Sequence, residues 1–194
     1  MKQLIFDVET KKTFDEAGGF FPEKLGISFI GACVRETQFE PGEMLSFFED
    51  QIEAFLTVLE SADVVIGFNS DHFDIPTLIP YYKGDIKLIP SLDLMARFKD
   101  ATGHRVKLDS IAQETLGVGK SGDGLDAIKY YRNGELDKLK EYCLQDVAVT
   151  RDVYDYGMKH GKVKYKNKWN RSIETPIDFS FKPKVSHGLQ MSLI

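Results

Sequence analysis

Cysteine is nearly absent: Cys33 and Cys143 are the only two in 194 residues. Two thiols cannot build a disulfide framework, and no histidines stand at ligand spacing to complete a zinc site. Both lie among apolar neighbours and read as core thiols. No apolar run reaches the roughly 20 residues that span a bilayer, so no membrane partner is expected. The opening MKQLIFDVET carries acids and has no small-residue cleavage site, unlike a secretory leader. A cytoplasmic location is the expectation. Internal repeats and low-complexity linkers are also missing. What remains is a chain that is 42% hydrophobic, enough for one well-buried core and too much for global disorder.

Positive charge is scarce overall, with a formal net charge of −5. Its distribution is uneven. KHGKVKYKNKWNR (159–171) holds Lys159, Lys162, Lys164, Lys166, Lys168 and Arg171 and no acid. A basic stripe on an acidic chain keeps a nucleic-acid partner in play.

Hydrophobic patterning predicts five strands: KQLIFDV (2–8), GISFIGACVRE (26–36), EMLSFFE (43–49), DVVIGF (63–68) and IPSLDL (89–94). Ile52, Phe55, Leu56 and Leu59 predict a helix over about 50–61. A second helix is expected from Asp74 to Tyr82, with Pro76 in its first turn and Pro80 kinking or ending it. Further helices are expected at Leu108–Leu116, Gly124–Arg132 and, most strongly, Glu135–His160, whose end Gly157 and Gly161 should mark. Beyond it the lysines alternate with Val163, Tyr165 and Trp169. That period of two predicts a strand with the lysines on one face and the apolar residues on the other. Thr175-Pro176 reads as a turn and Leu189–Ile194 as an apolar end. The fold class is thus α/β, a mixed five-stranded sheet flanked by helices over 1–160. A basic, strand-containing extension over 161–194 should pack on the same domain.

Three segments carry chemistry. Asp7 and Glu9 stand two apart on the first strand, so their carboxylates share a face. They repel unless something positive lies between them, and a hard divalent cation suits oxygen ligands. The plain alternative is a strand end with solvated acids. The first strand followed by Gly119-Lys120-Ser121 superficially suggests an ATPase. However, the phosphate-loop pattern needs glycine where Glu114 stands, so that reading fails. The glycine-rich stretch is a loop, with Lys120 a possible phosphate contact. GFNSDHFD (67–74) closes the fourth strand. There Asn69 reads as a turn former or a substrate contact, and Asp74 as a metal ligand or a helix N-cap. Asp71 sits in the turn itself, and His72 has no ligand partner. Tyr142 and Asp146, at i and i+4, share one face of the long helix. A half-buried tyrosine beside a solvated acid would explain that pair equally well.

Taken together, FDVET (6–10), GFNSDHFD (67–74) and YCLQD (142–146) resemble the three exonuclease motifs of the DEDD superfamily of RNase H-like proofreading exonucleases. They occur in the right order and on the expected strand, strand exit and late helix. Tyr142 marks the tyrosine subtype, because Glu141 stands where the histidine subtype carries its histidine. The chain looks most similar to stand-alone bacterial RNase H-like exonucleases related to the proofreading domain of family-B DNA polymerases. It departs from the polymerase pattern in its long 11–25 loop and its lysine-rich end.

The resemblance implies a two-metal 3′→5′ exonuclease that releases 5′-mononucleotides from single-stranded ends. Asp7, Glu9, Asp74 and Asp146 would be the ligands of two Mg²⁺ or Mn²⁺ ions, and Tyr142 would orient the attacking water. Candidate substrate contacts are Thr10 and Asn69 within the motifs, Phe20 and Phe21 in the long loop, and Lys120, Lys162 and Lys164. Phe73 is a further candidate, although it reads more readily as core. DNA is favoured over RNA because the motifs look most like the proofreading branch. Alternatives are an RNA exonuclease or endonuclease on the same fold, or a catalytically silent module that binds nucleic acid or protein.

Overall fold

The computed structural model describes residues 1–119 and 124–181. Lys120 and the apolar end Leu189–Ile194 lie outside them. Five strands form one mixed sheet: β1 (Gln3–Thr10), β2 (Ile27–Arg35), β3 (Glu43–Phe48), β4 (Val64–Gly67) and β5 (Ser91–Asp93), in the order β3-β2-β1-β4-β5. β1 runs antiparallel to β2 and parallel to β4; β2–β3 is antiparallel and β4–β5 parallel. The helices are α1 (Ile52–Glu60), α2 (Asp74–Leu78), α3 (Leu94–Thr102), α4 (Leu108–Leu116), α5 (Gly124–Arg132) and α6 (Leu136–His160). The architecture is the expected α/β class, a mixed five-stranded sheet flanked by helices. Among the described residues no helix is long and apolar enough to cross a membrane.

Strand alternation sorts β1 between two cores. Leu4, Phe6 and Val8 pack with Phe55 and Leu59 of α1 and Ile75 and Leu78 of α2. Ile5 points the other way, into a core built with Val147, Val153 and Tyr154 of α6. Asp7 and Glu9 continue the Ile5 face. Asp7 is paired with Gly31 of β2, and a Cβ at Gly31 would lie 2.9 Å from Cys143 Sγ. Glycine there lets α6 rest directly on the sheet beside Asp7. Farther along, the buried Arg35 of β2 makes a two-pronged ion pair with Asp155 of α6 at 2.7 and 2.8 Å and donates to Gln3 of β1 at 2.7 Å. That pair fixes α6 across β1 and β2.

Several boundaries differ from expectation. The fifth strand stops at Asp93, whose carboxylate caps a helix from Leu94 that periodicity alone did not reveal. α2 ends at Leu78 and tightens into a 3₁₀ turn, Ile79–Tyr81, because Pro80 cannot continue the helix. Gly157 lies inside α6, which ends at His160 with Gly161 as its left-handed cap. The reason for Gly157 is packing: a Cβ there would meet the Phe179 ring at 2.4 Å. Thr175-Pro176 is no turn but the end of β7 (Ser172–Pro176), which pairs antiparallel with β6 (Lys162–Lys166). This hairpin packs on α4 and α6 through Val163 and Tyr165, while Trp169 lies past the strand and is 69% exposed.

Candidate active site

β1 outruns its parallel neighbour. Its pairing with β4 ends at Ile5, whereas Asp7 and Glu9 lie beyond, near the C-terminal end of the strand. β4 leaves the sheet at Gly67, where a Cβ would lie 2.5 Å from Ser70 Cβ, and Asn69 takes a left-handed φ of 67°. The chain thus turns sharply and delivers Asp74 to the edge that β4 vacates. Asp74 is not the α2 cap; Phe73 holds that position. Instead its Oδ1 accepts the Val8 N–H at 2.9 Å, pinning the carboxylate to the stretch of β1 between Asp7 and Glu9. Asp93 supports the turn from below. Its two oxygens accept the N–H groups of Asn69 at 2.8 Å and Asp71 at 3.2 Å while also capping α3. The sequence signal for Asp93, an aspartate between a strand and an apolar helix face, is a local one that the motifs do not include.

α6 closes the site from the other side. Tyr142 and Asp146, one turn apart, line a cavity of about 340 Å³ together with Asp7, Glu9, Thr10, Phe14 and Phe73. Asp7, Glu9, Asp74 and Asp146 therefore converge, and their electrostatics record it. Burial first, then the charge of Asp146, pushes Asp7 up to about 7. Burial and then Asp7, Asp146 and Asp74 lift Glu9 well above the carboxylate range. Asp74 is raised by burial and by Asp7, against the lowering effect of the Val8 N–H. Tyr142 is raised too, by burial and then by Asp146, Glu9 and Asp7, so it stays protonated. The Asp7 charge acts on Glu9, Asp74 and Tyr142 alike. Ligand atoms of Asp7, Glu9 and Cys143 lie within 4.8 Å of one another. Cys143 was read as a core thiol, and it is fully buried, but its Sγ also sits 3.6 Å from Asp7 Oδ2. Burial and the Asp7 charge raise it as well, which keeps it a neutral thiol. Several buried oxygen ligands that mutually oppose ionisation fit a hard divalent cation, which would relieve the repulsion.

The other candidates fall in different places. Phe73 is half-buried and lines the cavity, not the core. Phe14, which the sequence did not single out, stacks on Phe20 at 4.6 Å and meets Phe73 edge-on at 5.9 Å. The 11–25 loop thus builds an aromatic wall, anchored to α5 by the Arg132–Glu16 ion pair at 2.6 Å. Phe21 is exposed, with Lys24 Nζ 4.0 Å from its ring centre. Thr10 lines the cavity and donates its hydroxyl to the Lys12 carbonyl at 3.2 Å. Asn69 accepts from Arg105 through its side chain. Lys162 is tied to Glu174 at 2.8 Å, and Lys164 stands opposite that same glutamate across the hairpin. Lys166 is paired with Glu114 at 3.3 Å.

A sequence match to the RNase H superfamily runs over residues 4–157, most of the chain and every element of this site. The chain belongs to the RNase H superfamily. No curated protein matches its sequence. Among solved structures it is similar to a family B DNA polymerase from the hyperthermophilic archaeon Pyrobaculum calidifontis, with a TM-score of 0.61 at 18% identity over 82% of this chain and 24% of the polymerase. Two E. coli exonuclease I structures resemble it more loosely. A zinc-bound complex with single-stranded DNA gives a TM-score of 0.46 at 15% identity, over 82% of this chain and 41% of that one. A complex with a 5cy-dT13 oligonucleotide gives 0.47 at 13% identity, with the same coverage of 82% and 41%. The chain spans about a quarter of the polymerase and less than half of exonuclease I. At 18% identity the likeness to the polymerase is one of fold alone.

Proposed function

We propose that this RNase H-superfamily chain is a metal-dependent 3′→5′ exonuclease of the tyrosine DEDD subtype that releases 5′-mononucleotides from single-stranded nucleic acid. The observation that carries the reading is the meeting of Asp7, Glu9 and Asp146 beside Tyr142 at one open cavity, with the buried Asp74 held against the β1 backbone between Asp7 and Glu9. Asp7, Glu9 and Asp146 would hold one divalent ion, and Asp7 with Asp74 a second; Mg²⁺ and Mn²⁺ match the oxygen-rich set. Such ions, when bound, supply Lewis acidity: they lower the pKa of water and offset charge that develops on the phosphate.

The protein groups do the positioning. Tyr142, on the cavity wall one turn from Asp146, would orient the attacking water by a hydrogen bond. Asp74, fixed by the Val8 N–H, holds its carboxylate at a constant place relative to Asp7. Phe14 and Phe73 offer ring faces to the terminal base, where stacking contributes roughly 1–3 kcal/mol per base. Lys12, on the cavity wall, is placed to meet a phosphate.

DNA is the favoured substrate, on the likeness of the three motifs to the proofreading branch; RNA ends are the second reading. The test is digestion of 5′-labelled single-stranded DNA and RNA with Mg²⁺ or Mn²⁺. A one-nucleotide ladder growing from the 3′ end and abolished by EDTA is expected. Hydrolysis that persists in excess EDTA contradicts the metal mechanism, and faster digestion of RNA reverses the substrate assignment.

A further inference from the structure

The hairpin tip carries features that the cavity at Asp7 does not use. Residues 167–171 join β6 to β7, and Asn167 locks them. Its N–H donates to the Arg171 carbonyl at 3.0 Å, and its Oδ1 accepts the N–H groups of Trp169 and Arg171 at 3.0 Å each. This rigid turn holds Trp169 outward, with Lys168 Nζ 4.5 Å from the indole centre. Beneath it opens a cavity of about 490 Å³ lined by His104, Tyr165, Asn167, Lys168, Trp169 and Ile173. The exposed ring thus stands on a hydrogen-bonded turn at the rim of a cavity.

Charge identifies what it would bind. Lys162 and Lys166 are spent on Glu174 and Glu114, whereas Lys168 and Arg171 have no carboxylate partner among the described residues. Two cations without a carboxylate partner among the described residues, one of them packed on an exposed indole, fit a base with its flanking phosphates. A chain of contacts also leads from here to the candidate active site. The His104 ring lies 5.6 Å from that of Tyr165; its neighbour Arg105 donates to Asn69 Oδ1; the Asn69 carbonyl accepts the Phe73 N–H at 3.1 Å; and Phe73 walls the carboxylate cavity.

We infer that Trp169, Lys168 and Arg171 form a second single-strand-binding site, where a base upstream of the 3′ end stacks on the indole and its phosphates meet the two cations. The polarity of the strand rests on the proposed function; binding at the hairpin does not. The hairpin lies outside the residues 4–157 matched by the superfamily, so the site is an addition to the shared fold.

Trp169 is the only tryptophan, so its fluorescence reports this site alone. In EDTA at low salt, a long oligo(dT) should quench it, and a thymidine dinucleotide should not. By anisotropy of a labelled oligo(dT), Trp169→Ala should weaken binding about tenfold, the size of one lost base–aromatic stack, while Trp169→Phe retains most of the affinity. Replacing Lys168 and Arg171 together with glutamine should flatten the salt dependence by roughly 0.7 per lost contact. A strand that binds and is trimmed from its 3′ end without moving the Trp169 signal overturns this site and leaves the proposed exonuclease standing. A strand that quenches Trp169 but is never cut with Mg²⁺ does the reverse. Wild-type affinity in Trp169→Ala, or quenching only by a protein partner, also overturns it.

Discussion

Asp74 Oδ1 accepts the Val8 backbone N–H at 2.9 Å, a bond that exists because β4 stops short and leaves that edge of β1 unpaired. The carboxylate completes the sheet and joins the acidic cluster at once. The two roles separate by mutation. Asp74→Asn keeps an oxygen for Val8 but loses the charge. It should cost several kcal/mol of transition-state stabilisation, roughly 100-fold or more in kcat, with the melting temperature unchanged or raised. Asp74→Ala loses both and should also lower stability by about 1–3 kcal/mol, because the Val8 N–H is left unpaired. Equal melting temperatures for the two variants would contradict the strand-completing role.

The pH dependence of the metal-free protein follows from Asp7. Its folded pKa of about 7 lies above the unfolded value of 3.8, so the folded state binds the proton more tightly. The associated stability is fully present below about pH 4 and is lost as pH rises through about 7. In EDTA the melting temperature should therefore fall between pH 5 and pH 8, by an amount worth up to about 3 kcal/mol. Mg²⁺ or Mn²⁺ should restore it most at the alkaline end. Asp7→Asn should shrink the slope and abolish turnover together. A flat EDTA profile in the wild type would show that the carboxylates are not held in mutual repulsion.

Asp93 is the positioning residue to test. Its carboxylate holds N–H groups of Asn69 and Asp71 as well as the first turn of α3. Asp93→Ala should lower stability by about 2–3 kcal/mol, from a lost cap and unpaired amides. Because the Asn69 turn delivers Asp74, kcat should drop more than KM rises. Asp93→Asn should rescue part of both. A variant that melts early yet turns over normally would reduce Asp93 to a cap.

Gly31→Ala should press on α6 beside Asp7, where the added methyl would lie 2.9 Å from Cys143 Sγ and 3.2 Å from Val147 Cγ2. Overpacking of this kind costs about 1–3 kcal/mol. Cys143→Ala removes the nearest atom and should recover stability and activity in the double variant. Additive losses in calorimetry would show that the contact at Gly31 does not set the α6 position.

The sequence by itself determined the five sheet strands and the longest helix, because apolar, β-branched and aromatic runs mark the strands and α6 is long enough for its period to stand out. Spacing placed Asp7 with Glu9 on one strand face and Tyr142 with Asp146 on one helix face. Only the resemblance of the three segments to exonuclease motifs grouped the four acids as a set. Elements without a clear pattern escaped it: α3 follows directly on β5, and β7 ends in a proline that reads as a turn. The roles of Gly157 and Trp169 were misread for a related reason. One depends on Phe179 lying across α6, the other on Asn167 ending β6 before the indole can turn inward. Lys162 looked free in a stretch without acids, yet Glu174 reaches it from the partner strand. Only the tertiary structure decided such matters: the bond from Val8 to Asp74, the buried Asp93 beneath the turn, the Phe14 wall and the thiol beside Asp7. Each joins residues far apart in the chain, and their spacing carries no trace of a contact made only when the sheet and α6 close on each other.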